Sequence, residues 1–222
     1  MKRILVISIS LILGFSAAAD TLLSYSSENA AWPEPKSRDI TEQFGQDDIT
    51  YSSRSERGEF ILKCAKDGNT RYYLMKSEET GEGIEASLEG NTIIVDIVRE
   101  GTEEHKELTM EDDLPWYQSF DIQFADFALS GEKKREFYMI RPDDLSLTTW
   151  QLKRQGVEKV ETPAGTFDAV KVKVSLAGML SMFWSAECWY RVSDGRFIKY
   201  EGPMGGPGSD EVVSLLASEQ PM

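Results

Sequence analysis

Short runs of apolar–polar alternation, separated by glycine-bearing turns, constrain this chain most. Val170, Val172, Val174 and Leu176 alternate with Lys171, Lys173 and Ser175. Trp184, Ala186, Cys188, Tyr190 and Val192 alternate with Ser185, Glu187, Trp189 and Arg191, and Phe60, Leu62 and Cys64 with Ile61, Lys63 and Ala65. A period of two sets one face of a strand against a core and the other against water. Asp67-Gly68-Asn69, Glu89-Gly90-Asn91, Glu100-Gly101-Thr102 and Ser193-Asp194-Gly195 lie between such runs. Glycine there supplies the positive φ that a tight hairpin requires. Consecutive hairpins pair neighbouring strands antiparallel. Roughly a dozen strands follow from this pattern, and a sheet that large curls or closes. The expected fold is mostly β: a large curved antiparallel sheet, open or half barrel, with one main amphipathic helix.

That helix is expected after Asp112. Asp112 or Asp113 can cap it and Pro115 suits its first turn. Trp116, Phe120, Phe124 and Phe127 then follow at spacings of four, four and three, one face of a helix. Phe120, Ile122 and Phe124 also fit a strand. Residues 20–47, with Ser24, Ser26, Ser27, Pro33 and Pro35, read as an extended arm. Residues 48–222 read as a single β domain.

Residues 1–19 read as a signal peptide. Lys2 and Arg3 precede the apolar run Ile4 to Phe15, and Ala17-Ala18-Ala19 offers the small residues a signal peptidase recognises. The apolar run is shorter than the roughly 20 residues a spanning helix needs. Cleavage after Ala19 would release a periplasmic or secreted chain starting at Asp20. Lys+Arg number 24 against 38 Asp+Glu, for a net charge of −14, and cleavage removes two more positive charges. Such acidity repels nucleic acid and anionic headgroups. In an oxidising compartment Cys64 and Cys188 can close one bridge; the alternative is two separate buried thiols.

Val160 to Val172, with its core Thr162-Pro163-Ala164-Gly165-Thr166-Phe167, resembles the signature of the DUF3108-type exported bacterial proteins. The later run Phe183-Trp184 to Tyr190, then Asp194-Gly195-Arg196-Phe197-Ile198-Lys199-Tyr200, fits the same resemblance. It implies a large curved sheet around an interior groove, similar in shape to the hollow half-barrels of periplasmic lipoprotein carriers, and supplies no catalytic residues. Read physically, Pro163 and Gly165 make a register-holding turn.

His105, the one histidine, lies among Glu103, Glu104, Lys106 and Glu107, a solvated setting rather than that of a catalytic base. G-x-S-x-G, P-loop and H-E-x-x-H patterns are absent. Acidic pairs such as Asp47/Asp48, Asp112/Asp113 and Asp143/Asp144 are expected by chance at this composition, and calcium-loop spacing is missing. No catalytic residue, metal ligand or cofactor is therefore assigned. The Gly202–Gly208 loop has no helix after it to present amides to phosphate. Met179, Leu180, Met182, Phe183 and Trp184 form an apolar patch, either plain core or an adaptable lining for an apolar ligand.

The sequence favours a non-catalytic binding or carrier protein for a lipid or other apolar molecule, with Trp116, Phe120, Phe124, Phe127, Met182 and Trp184 as the candidate ligand contacts. An envelope interaction or assembly factor is the alternative, and a carboxylate-based hydrolase ranks last. An outer-membrane barrel is disfavoured by charged strands and a non-aromatic C-terminus.

Overall fold

Each of the four glycine turns closes a hairpin. The computed structural model describes residues 19–141, 144–203, 205 and 208–222, with Leu180 described by its backbone alone. Residues 1–18, the Pro142-Asp143 corner and part of the glycine-rich loop fall outside the described residues.

The strands are β1 (Thr21–Glu28), β2 (Lys36–Phe44), β3 (Asp48–Ser55), β4 (Gly58–Ala65), β5 (Thr70–Ser77), β6 (Gly83–Glu89), β7 (Thr92–Arg99), β8 (Thr102–Thr109), β9 (Lys134–Ile140), β10 (Leu147–Thr162), β11 (Gly165–Leu176), β12 (Ser185–Arg191), β13 (Phe197–Pro203) and β14 (Glu211–Pro221). All lie in one curved antiparallel sheet of order β8-β7-β6-β5-β4-β3-β2-β1-β14-β13-β12-β11-β10-β9. Two meanders thus run outward from a central seam where the first and last strands pair, Thr21 opposite Pro221 and Glu28 opposite Val213. β8 and β9 are the outermost strands, and the sheet does not close.

The segment expected to be an arm is therefore β1 and β2, in the middle of the sheet. Thr21, Leu23 and Tyr25 are buried in alternation along β1, a period-two signal that the serines obscure. Asp20 ties this start down: its carbonyl accepts from Met222 N–H at 2.8 Å.

The expected helix is also corrected. Of the expected helical stretch only Ala125–Ser130 lies in an α-helix (α1), ended by Gly131 at φ 81°. Residues 111–124 form an irregular segment that enters the concave side. Antiparallel pairing gives the sheet a terminus end, with Thr21, Pro221 and the β2–β3, β4–β5 and β12–β13 turns, and an opposite end. The segment leaves β8 at the terminus end and runs beside β9 in a parallel bridge from Trp116 to Tyr138. It reverses near Phe120, then returns to form α1 against Gly195. The aromatic residues are buried as a helix would bury them, yet their spacing does not come from helical turns.

Candidate functional site

The crossing segment decides what interior space remains. Its residues 115–118 hold the edge of β9: Tyr138 N–H donates to Pro115 O at 2.8 Å and Tyr117 N–H to Tyr138 O at 2.9 Å. On the other side Thr70 N–H donates to Trp116 O at 2.7 Å, and Trp116 N–H to Asn69 Oδ1 at 2.9 Å. The strip thereby joins the start of β5 to the opposite meander, bridging a barrel that its own edges leave open.

Irregular backbone buried inside a sheet needs polar partners, and two buried glutamines supply them. Gln123 Oε1 accepts from Gln118 N–H (2.8 Å) and Ser119 N–H (2.6 Å), while its Nε2 donates to Gly68 O and Thr70 Oγ1, both at 2.8 Å. Gln118 Oε1 accepts from Trp116 Nε1–H and Ile140 N–H, and its Nε2 donates to Ile140 O. Asp121 pairs with Arg38 at 2.6 Å and accepts from the Ser119 hydroxyl and from Ile122 N–H at 2.8 Å. Burial pushes the Asp121 carboxyl up; the Arg38 guanidinium and those two hydrogen bonds outweigh it and hold the group below its usual range. On the expected helix Gln118, Asp121 and Gln123 would lie on the polar side, away from the aromatic face, which gives them no such bonding role.

The candidate ligand contacts do not come together as one lining. Trp116, Phe124 and Phe127 are fully buried core. Phe124 packs on Tyr117, Phe137 and Tyr190 with ring centroids 5.5–6.4 Å apart. Phe127 lies under the Arg135 guanidinium. Phe120 meets Trp150 and Trp184 at 5.0 and 4.8 Å, toward the opposite end. Met182 is exposed.

Space remains at the terminus end. A cavity of about 480 Å³ lies between the crossing segment, through Ile122 and Ala125, and the inner faces of β1, β2, β3 and β13. Its apolar wall includes Leu23, Tyr25, Phe44, Ile49, Tyr51 and Phe197. Thr21, Glu42, Asp194 and Arg196 add polar groups to it; Arg196 donates to Glu42 Oε2 at 2.7 Å and to Glu219 Oε2 at 2.9 Å. Burial raises the Glu42 carboxyl, opposed by Arg196 and by the Tyr51 hydroxyl. Arg191 also binds Glu219, at 2.7 Å, and holds that carboxylate below its usual range. A surface groove of about 580 Å³ has a mixed lining, with Asp112, Asp113, Glu132 and Arg135 beside Leu88, Met110 and Leu114.

Cys64 and Cys188 are separate buried thiols, which corrects the bridged alternative. They sit on β4 and β12, far apart in strand order. Cys64 Sγ donates to Ile49 O and Cys188 Sγ to Phe120 O. Burial pushes Cys64 up to about 12 and Cys188 well above the usual thiol range, the opposite of an activated nucleophile. His105 is exposed and contacts Asp96 across the β7–β8 hairpin at 2.7 Å. Among the described residues no group of three or more His, Cys, Asp and Glu is arranged to hold a metal ion, and no helix is long and apolar enough to cross a membrane.

No protein-family model matches the chain, and no curated protein matches it. Among solved structures it is similar to a β-barrel-like protein of a domain of unknown function, DUF1849, from Brucella abortus: 8% identity, 92% of this chain and 98% of that chain covered, TM-score 0.61. It is also similar to the hypothetical lipoprotein YmcC from Escherichia coli, with 10% identity, 93% and 87% covered, TM-score 0.43. A LolA superfamily protein from Nitrosomonas europaea follows, with 8% identity, 92% and 86% covered, TM-score 0.25. At such identity the first likeness is one of fold alone, and the two lower scores carry no weight. The fold is thus a large β-barrel-like curved sheet, as expected; the DUF3108 resemblance rests on its motif residues, which form the β10–β11 hairpin, Thr162 opposite Gly165.

Proposed function

We propose that this protein is a non-catalytic binding or carrier protein for an apolar, lipid-like molecule, acting in the bacterial envelope after export. One observation carries the reading: the half-barrel keeps an apolar cavity of about 480 Å³ at the terminus end although its centre is packed with aromatic rings. That volume lies within the range of small-molecule sites, and mostly apolar walls with a few polar groups are their usual composition. The Arg196–Glu42 pair on the wall would orient a polar head while the chain lies against Leu23, Ile49 and Phe197.

Export is supported by the leader pattern of residues 1–19 and by the position of Asp20, already hydrogen-bonded to Met222 where cleavage would leave the new terminus. Membership of the DUF3108-type exported proteins is part of the same proposal and is supported by the Val160–Val172 run. Native mass spectrometry of protein purified from its own envelope tests both points. The expected species begins at Asp20 and carries an apolar adduct that organic solvent extracts. A chain beginning at Met1 contradicts the export reading, and an adduct-free chain contradicts the carrier reading.

A further inference from the structure

The connection from β11 to β12 is unlike the rest of this acidic surface. From Val174 to Ala186 the chain has no charged residue, although charged residues make up 28% of the whole. Its middle is a short 3-10 turn, Gly178–Met182. Met179 and Met182 are 91% and 82% exposed, and Phe183 is 63% exposed. Methionine and phenylalanine left this open in one place call for a partner surface.

The turn is held firmly from below. Trp184 is buried, packs on Phe120 and Trp150, and donates its indole N–H to Gly205 O at 2.6 Å. Ala177 N–H donates to Thr149 O at 3.1 Å. The protruding side chains are therefore presented by a fixed base at the opposite end of the sheet, away from the cavity.

We infer that the Met179–Phe183 turn inserts into an uncharged lipid–water interface. A specific protein partner is the poorer occupant. Standard protein interfaces bury about 800 Å² on each side, more than three side chains on one turn supply, and this turn has no charge to set register. A lipid surface needs no matched shape, only apolar side chains that reach below the headgroups. The net charge of −14 makes an anionic surface unfavourable and selects a neutral one. This inference stands apart from the cavity reading, since the turn can bind lipid whether or not the cavity is filled.

Co-flotation with phosphatidylcholine vesicles tests it, using the mature chain and the triple variant Met179→Ser/Met182→Ser/Phe183→Ser. Because the three side chains are exposed, the variant should keep its fold, checked by circular dichroism. Wild type should float with the vesicles, and the variant should lose binding by about tenfold or more, given what each large apolar side chain gains on leaving water. Added anionic lipid should weaken binding. Absence of flotation by wild type, equal flotation by the variant, or binding only to anionic vesicles would overturn the inference. So would a wild-type dimer in sedimentation that the triple variant abolishes, because the patch would then cover a second copy.

Discussion

Gln123 shows how single side chains hold this interior together. One carboxamide satisfies two backbone amides and reaches two acceptors on the β4–β5 side, so an irregular segment can lie where a helix would otherwise be needed. Around it the aromatic residues act as core. Phe124→Ala should cost about 3–5 kcal/mol in chemical denaturation, as for a close-packed ring; a cost under about 1 kcal/mol would mean that the ring borders empty space. Asp121 contributes with a definite pH sign. Its folded pKa is depressed, so its pairing stabilises the protein above the unfolded Asp value of about 3.9 and is lost as pH falls through the folded value. The stability difference between wild type and Asp121→Asn should be present at neutral pH and shrink in acid. A difference that grows on acidification would reverse the assignment. Cys64 and Cys188 should both react with a thiol reagent in unfolded, unreduced protein; no reactive thiol would restore the bridge. Their inward placement was readable from alternation with Phe60, Leu62, Trp184 and Tyr190. Their separation was not, because pairing between distant strands leaves no local trace.

Among the elements, hairpins were legible and the crossing segment was not. Asp67-Gly68-Asn69 and its counterparts encode turns through backbone sterics, a local property. Gly68 sits at φ 88°, and a Cβ there would lie 2.5 Å from Gln123 O. Gly68→Ala should therefore destabilise by about 1–3 kcal/mol from the left-handed backbone alone, with the close approach adding to it. Gly90→Ala, with open space around it, isolates the backbone part. Equal costs at the two sites would remove the claim that the segment packs against the β4–β5 turn. The 4-4-3 aromatic spacing of Trp116, Phe120, Phe124 and Phe127 misled because burial inside a curved sheet selects aromatic residues whatever the backbone does. Gln118 and Gln123 were the available signal: two long amides following Pro115, able to replace helical hydrogen bonds. β1 was missed because its period-two signal, Leu23 and Tyr25, is short and set among serines.

At the scale of the molecule, two meanders meet at the β1–β14 seam and leave β8 and β9 apart. The outer edge is β8, with Glu103, Glu104, His105, Lys106 and Glu107 all exposed, a charged edge of the kind that discourages further strand pairing. The β9 edge is occupied by residues 115–118. This arrangement lets the interior be packed at one level and open at another, which a fully filled sandwich would not allow. The general shape followed from the strand pattern; the cavity's position did not, since it depends on where Ile122 and Ala125 stop filling the space. The central claim is that this cavity takes an apolar chain, and Ile49, partly buried on its wall, offers the direct test. Equilibrium binding of a fluorescent long-chain acyl probe should be saturable at one site per wild-type molecule. Ile49→Trp, which fills the cavity from its rim, should weaken it by about tenfold or more, as adding bulk to an occupied site implies, while leaving the unfolding midpoint nearly unchanged. Binding of equal strength in a folded Ile49→Trp protein, or no saturable binding by wild type, would contradict the account.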